Sequence, residues 1–154
     1  MLGYSEGMRL FWVFTAVSAI LLTGFVWVKR QTVSVKHEVV IGENIFSVEI
    51  ADTDDERIRG LSNKTSLGKD EGMLFEMESR EGHVFWMKEM RFPLDFVWID
   101  GDIVVDISEN IPISKDQIEI PKISPKYHVN RVLEINAGEV ARRGISIGDT
   151  VTYR

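Results

Sequence analysis

Residues 93–107 read PLDFVWIDGDIVVDI, and this stretch predicts a β-hairpin. Two apolar runs, Leu94–Ile99 and Asp102–Ile107, flank the dipeptide Asp100-Gly101. An Asp-Gly pair between two such runs favours a two-residue turn of type I′, because glycine readily adopts the positive φ that this turn requires. The middle of the chain is therefore expected to hold two adjacent antiparallel strands.

Short strands are also predicted on both sides of this hairpin. Apolar and polar residues alternate in Phe46–Ile50, as on a strand with one buried face. The other predicted strands are Ser34–Ile41, one that begins at Gly72, Val84–Lys88, Val129–Ile135 and Thr150–Arg154, with turns at 42–44 and 78–82 and a long loop over 110–126.

Two short helices interrupt the strands. Thr53 lies three residues before Glu56, which is the spacing of a capping box. This pair predicts a helix over Asp54–Leu61 with Ile58 on its inner face. A second short helix is predicted over Gly138–Arg143. Many short strands with one or two short helices indicate a mostly β fold, either a small antiparallel β-barrel or a sandwich.

The amino-terminal segment has the composition of a membrane anchor. Leu10–Val28 has no charged residue over 19 positions, and Trp12 and Trp27 lie near its ends, where tryptophan favours the membrane interface. A cleaved signal peptide is the alternative, but the bulky residues at the end of the segment offer no small-residue cleavage site. The predicted organisation is an N-terminal anchor in residues 1–30 with a single transmembrane helix over 10–28, a linker in 31–37 and a β-rich soluble domain in 38–154.

Charge and composition exclude several classes of partner and site. Residues 31–154 carry 23 acidic and 15 basic side chains, a net charge of −8, which disfavours nucleic acid as a partner. The chain has no cysteine and its three histidines are far apart in sequence, so we expect no metal and no cofactor. The one metal alternative is a soft Cu(I) site formed by Met77, His83, Met87 and Met90.

The soluble part resembles a known family at six motifs. In order, these are ERIRGL (56–61), DEGMLF (70–75), FWMK (85–88), PLDFVWID (93–100), VLEINAG (132–138) and GISIGD (144–149). Their order and spacing are similar to those of the uncharacterised conserved family called domain of unknown function 192, over residues 38–153. The chain departs from the family pattern at Ser62, where methionine is usual, and at Glu89-Met90, where Asn-Thr is common. The resemblance implies a small β-rich domain and no settled activity.

Two signals for the orientation of the soluble domain disagree. Lys29, Arg30 and Lys36 follow the apolar segment, against Arg9 before it, and the positive-inside rule then favours a cytoplasmic domain. Members of the family often lie behind a signal peptide or an anchor, which implies export. We expect a single-pass membrane protein whose soluble domain is extracytoplasmic.

Charged residues within the apolar stretch 83–100 suggest a ligand site. If 84–88 and 94–99 are strands around a break at Pro93, then Lys88 and Asp95 lie near one end of the barrel. Trp86 and Met87 would then form apolar walls, while Lys88 and Asp95 hold a polar ligand. Arg59 could add a contact to a carboxylate or phosphate. The alternative is a partly buried Lys88–Asp95 ion pair with a purely structural role.

The sequence contains no catalytic motif, so three functions are left open. The first is a membrane-anchored, non-catalytic accessory domain that binds a small ligand or a partner such as a membrane protein. The second is an enzyme acting on a polar small molecule or saccharide, with Asp95 as acid or base and Lys88 as electrostatic support. The third is a structural scaffold without a ligand.

Overall fold

The computed structural model describes residues 37–116 and 118–154. In this part of the chain the strands are β1 (His37–Ile41), β2 (Asn44–Ala51), β3 (Glu71–Glu81), β4 (Phe85–Trp86), β5 (Leu94–Asp100), β6 (Ile103–Ile111), β7 (Lys122–Ile123), β8 (Val129–Asn136) and β9 (Val151–Tyr153). The helices are α1 (Asp54–Arg59) and α2 (Glu139–Arg143). The predicted anchor and its linker up to residue 36 lie outside the described residues. Within 37–116 and 118–154, no helix is both long and apolar enough to cross a membrane.

Seven of the strands form one curled sheet with the shape of a half-barrel. Their order is β6-β5-β8-β3-β2-β1-β9. At one end the two edges meet, since the amide of Val104 donates to the carbonyl of Asp149 at 3.0 Å and the amide of Val151 donates to the carbonyl of Asp102 at 2.8 Å. The mostly β fold is thus confirmed, with two short helices, in the residues that the structure describes.

The prediction of an entirely antiparallel sheet is wrong at one position. Strands β2 and β3 run parallel, with Ser47 opposite Glu71 and Ala51 opposite Phe75. Parallel neighbours need a crossover connection. Here the connection from β2 to β3 contains α1, and it carries the chain over one face of the sheet before it returns.

The hairpin predicted at the centre of the chain is present as β5 and β6. Asp100 pairs with Ile103, so the two turn residues are Gly101 and Asp102. Of these two, only Gly101 has a positive φ, of 58°. A type I′ turn requires a positive φ at both central residues, so that turn type was predicted incorrectly.

Helix α1 begins as predicted and ends early. The Thr53 hydroxyl accepts from the Glu56 amide, and the Glu56 carboxylate accepts from the Thr53 amide, which completes the capping box. The chain leaves the helix at Gly60 with φ 48° and ψ −137°, a conformation that only glycine adopts without strain. Ile58 is 63% exposed, so the prediction that it faces inward is wrong.

The segment around residues 78–88 differs most from the prediction. Strand β3 continues to Glu81, so the turn expected at 78–82 is not formed. The strand expected over Val84–Lys88 is reduced to β4, which pairs with β7 in a separate two-stranded ribbon rather than with the main sheet. This ribbon lies over the same face of the sheet as α1 and, with it, covers a second apolar core.

The sheet is buried on both faces. One core fills the concave side and includes Val97, Leu133 and Ile135. The other includes Phe96 and Val132, from the same two strands. Consecutive residues of β5 and β8 therefore point into two different cores, which accounts for the nearly continuous apolar runs of these strands.

Asp95 is an acid inside the first of these cores. It is 0% exposed, and its two carboxylate oxygens accept from the backbone amides of Asn110 at 2.7 Å and Val140 at 3.0 Å. The carboxylate thus ties β5 to the end of β6 and to the first turn of α2. Lys88 is exposed, and among the described residues no ion pair joins it to Asp95, so the predicted pair is wrong.

We expect Asp95→Asn to lower the free energy of unfolding by about 2–3 kcal/mol. The amide would place an N–H group against one of the two backbone donors and would remove the charge that strengthens both hydrogen bonds. Urea unfolding of the full chain checks this value. The control is Asp102→Asn in the exposed hairpin turn, expected within about 0.5 kcal/mol of the wild type. Equal stability of the two variants would contradict the role assigned to Asp95.

Candidate functional site: a cavity beside Glu134

A cavity of about 330 Å³ opens on the face of the sheet that carries α1. One wall consists of residues from α1 and of the residues 60–62 that follow it. The other walls consist of residues between 75 and 79 of β3 and of residues 83–86, which include β4. Glu134 of β8 also lines it. The volume is at the lower end of the range for small-molecule sites.

Three aromatic side chains form much of the apolar wall: Phe75, Phe85 and Trp86. The rings of Phe75 and Phe85 meet edge to face, with centroids 5.1 Å apart and planes at 84°. Phe85 also packs edge to face on Trp98 in the core, at 5.5 Å. These contacts hold the wall in place, whereas Trp86 remains 43% exposed at the cavity.

Gly60 brings the chain close to this wall. A Cβ atom placed on Gly60 would lie 3.2 Å from the tip of the Phe75 ring. The positive φ of Gly60 and this close approach together explain why glycine follows α1. The family motif ERIRGL therefore places α1 and the cavity wall in contact.

Arg57 is the more buried of the two arginines in α1, and both of its terminal nitrogens already donate hydrogen bonds. One terminal nitrogen donates to the carbonyls of Asp52 at 2.6 Å and Glu76 at 2.9 Å. The other donates to the carboxylates of Asp54 at 2.7 Å and Glu78 at 3.1 Å. The hydrogen bond to Asp54 raises the pKa of Arg57. Arg57 thus fastens α1 to β3, and its charge is balanced before any ligand arrives.

Glu134 is the unusual residue of the cavity. It lies between Met73 of β3 and Phe96 of β5 and is only 5% exposed. In the part of the chain that the structure describes, its carboxyl group has no hydrogen-bond or ion-pair partner. Burial raises the pKa of Glu134 to about 8, because the ionised form loses its hydration. No fully buried side-chain oxygen among the described residues lacks a hydrogen-bond partner, so the Glu134 carboxyl group borders the cavity and is not sealed inside the core.

The structure separates the residues that the sequence grouped into a site. Arg59 and Trp86 line the cavity. Met87 is fully buried in the second core and does not line it. Lys88 is exposed and contributes only its carbonyl, which accepts from the Ser62 hydroxyl at 3.0 Å. Asp95 lies in the other core.

Sequence reasoning missed Glu134, although a signal for it exists. The run VLEI places one acid among apolar residues in a strand that is buried on both faces. Period-two alternation puts Glu134 on the same face as Val132, which belongs to the second core. An unpaired acid at such a position is a candidate for function, but only the covering segments show that a cavity lies above it.

The structure brings together only some of the residues considered for a Cu(I) site. Met77, His83 and Met90 line the cavity, while Met87 does not. The Nε2 atom of His83 lies 2.9 Å from the Ser79 carbonyl, which leaves Nδ1 as its second polar atom. No group of three or more histidine, aspartate or glutamate side chains within the described ranges is arranged to hold a metal ion.

The raised pKa of Glu134 predicts a specific dependence of stability on pH. The pKa of Glu134 is about 8 in the folded chain, against an ordinary value of 4.5 that applies to the unfolded chain. The contribution of Glu134 to the free energy of unfolding is therefore complete below pH 4.5 and is lost as pH rises towards 8. Glu134→Gln mimics the protonated form at every pH. We expect the stability of the wild type relative to Glu134→Gln to fall by about 1 kcal/mol per pH unit between pH 5 and 8.

Urea unfolding of both full chains at several pH values measures this difference. Glu109→Gln, at an exposed position of β6, is the matched control and should follow the wild type across the same range. A constant difference between wild type and Glu134→Gln would show that the carboxyl group is ionised and solvated, contrary to the structure.

Comparison with known proteins agrees with the motifs. The model of domain of unknown function 192, described as an uncharacterised ACR, matches residues 36–153. No curated protein matches the chain. A crystal structure of a "putative transcription regulator" from Sinorhizobium meliloti 1021 is 30% identical, covers 77% of this chain and 92% of its own, and has a TM-score of 0.67. A protein of unknown function from Novosphingobium aromaticivorans DSM 12444 is 32% identical, with coverage of 76% and 83% and a TM-score of 0.67. The chain belongs to the family called domain of unknown function 192.

Proposed function

We propose that this domain binds a small organic molecule in the cavity beside Glu134 and acts as a non-catalytic accessory module. The observation that supports this most directly is the carboxyl group of Glu134, buried, without a partner and facing a cavity with aromatic walls. Small-molecule sites combine apolar walls with a few polar groups in this way. Arg59, exposed at the cavity, is a second polar contact that a bound molecule can use.

The burial of Glu134 supports a role in binding. Burial of a carboxyl group carries a desolvation cost, and a fold built only for stability would place an apolar residue at position 134. A ligand that donates to Glu134 removes this cost while its apolar part displaces water from Phe85 and Trp86. The scaffold alternative gives no account of this acid.

The membrane setting is part of the same proposal. An anchor over residues 10–28 would hold the domain at a membrane surface, on the extracytoplasmic side. The net charge of −8 on residues 31–154 keeps nucleic acid unfavourable as a partner. A membrane protein that delivers or receives the ligand fits this setting.

An enzyme is the second candidate, now with Glu134 in place of Asp95. A pKa of about 8 lets one carboxyl group both give and take a proton near neutral pH, as general acid–base catalysis requires. Asp95 and Lys88 do not support catalysis at this cavity, because Asp95 is bonded to two backbone amides and Lys88 is exposed elsewhere. Turnover of a bound compound, lost in Glu134→Gln, would favour the enzyme.

Thermal unfolding of the full chain with a panel of amines, alcohols, sugars and organic acids tests the binding proposal. A compound that binds only the folded form at 100 times its Kd stabilises it by about 2.7 kcal/mol, which corresponds to a rise in Tm of several degrees. We expect Trp86→Ala to reduce the rise by removing part of the wall. Tyr127→Ala, an exposed aromatic outside the cavity, should leave the rise unchanged. No rise with any compound, or an equal rise in Trp86→Ala, would contradict a ligand site here.

A further inference from the structure

The charges around the cavity favour one class of ligand over the others. Arg57 already meets two carboxylates and two carbonyls, so it has little to offer an anion. Arg59 is exposed to solvent, which screens its charge. Of the ionisable residues that line the cavity, Glu134 alone is buried, and it has no counter-ion within the described part of the chain. An anion would have to approach this acid, whereas a cation would neutralise it.

The walls support the same choice. Phe75, Phe85 and Trp86 line the same cavity as Glu134. The face of an aromatic ring attracts a cation, and the attraction is larger when the cation is shielded from water. Met77 and Met90 complete the wall with polarizable sulfur. A carboxyl group with aromatic rings around it is the chemical complement of an ammonium group on an apolar body.

We propose that the ligand of this cavity is a protonated amine whose ammonium group pairs with the Glu134 carboxylate and whose apolar part packs on Phe85 and Trp86. This inference rests on the proposed function and specifies its ligand. The cavity of about 330 Å³ limits the amine to a compact molecule rather than a polymer.

Binding of an amine must be linked to release of a proton. Burial raises the pKa of Glu134 to about 8, which favours the protonated form below that pH, but Glu134 pairs with ammonium only as a carboxylate. Each binding event near pH 6.5 therefore releases about one proton. The apparent affinity should rise about tenfold per pH unit between pH 5 and 7 and level off above pH 8.

The other ionisable groups around the cavity come from α1, from β3 and from the segment between β3 and β4. They are Asp54, Arg57, Arg59, Glu78 and His83. Asp54 and Glu78 are paired with Arg57, and His83 is the one histidine among the five. A His83→Gln variant therefore separates its contribution from that of Glu134.

The test uses three probes of similar shape: 2-phenylethylamine, 2-phenylethanol and 3-phenylpropanoate. Calorimetric titration of the full chain at pH 6.5, in two buffers of different ionisation enthalpy, gives both affinity and proton release. We expect the amine to bind at least tenfold more tightly than the alcohol or the acid, with release of about one proton. The release should persist in His83→Gln and disappear, together with the preference for the amine, in Glu134→Gln.

Two further variants keep the result interpretable if Glu134→Gln changes the fold. Trp86→Ala should weaken the amine several-fold yet leave proton release per binding event unchanged, because Glu134 is intact. Glu134→Asp should retain proton release with weaker binding. Tighter binding of the alcohol or acid than of the amine, or binding of the amine without proton release, would overturn the amine proposal while leaving a ligand site in place. If none of the three probes binds and the wider panel also fails, the proposed function itself is overturned.

Discussion

Burial of β5 and β8 on both faces is the constraint on which the rest of the structure depends. These two strands lie side by side in the middle of the sheet, and their residues alternate between two separate cores. An acid whose side chain points into one of these cores is largely removed from bulk water. Its ionised form is then disfavoured unless the protein supplies hydrogen bonds or a counter-ion.

The two buried acids on these strands, Asp95 and Glu134, meet that constraint in opposite ways. Asp95 faces the first core and accepts hydrogen bonds from two backbone amides, so its charge is stabilised within the fold. Glu134 faces the second core, where the covering segments leave a cavity instead of a partner. The first acid holds β5, β6 and α2 together, and the second borders the cavity. The difference is one of geometry, since both are buried acids on neighbouring strands inside the same sheet.

The segments that cover the second core determine the shape of the cavity. Helix α1 is held against β3 by Arg57, and the β4–β7 ribbon brings Phe85 and Trp86 over the sheet. Because α1 ends at Gly60, the chain passes close to Phe75 without filling the space beside Glu134. The same crossover that makes β2 and β3 parallel thus also forms one wall of the site.

Much of the fold was predictable because it depends on local signals. The capping box at Thr53, the Asp-Gly dipeptide at 100–101 and the alternation in Phe46–Ile50 each act within a few residues of the chain. The site was predicted only in part, with Arg59 and Trp86 at the cavity and Met87, Lys88 and Asp95 elsewhere. The error arose from treating 84–88 as a strand next to β5, although β4 pairs with β7 from a distant loop.

By itself, the sequence determined that this domain is mostly β, that it carries the family motifs, and which residues are apolar enough for its cores. Only the tertiary structure decided which acid is paired and which is free, because that depends on which backbone amides and covering segments come to lie above each strand. Local patterns specify faces of strands, whereas a cavity exists only between segments that are distant along the chain. For this reason Asp95, expected from the sequence in a ligand site, is bonded to two backbone amides in the first core, while Glu134, expected only as part of a strand, lines the cavity.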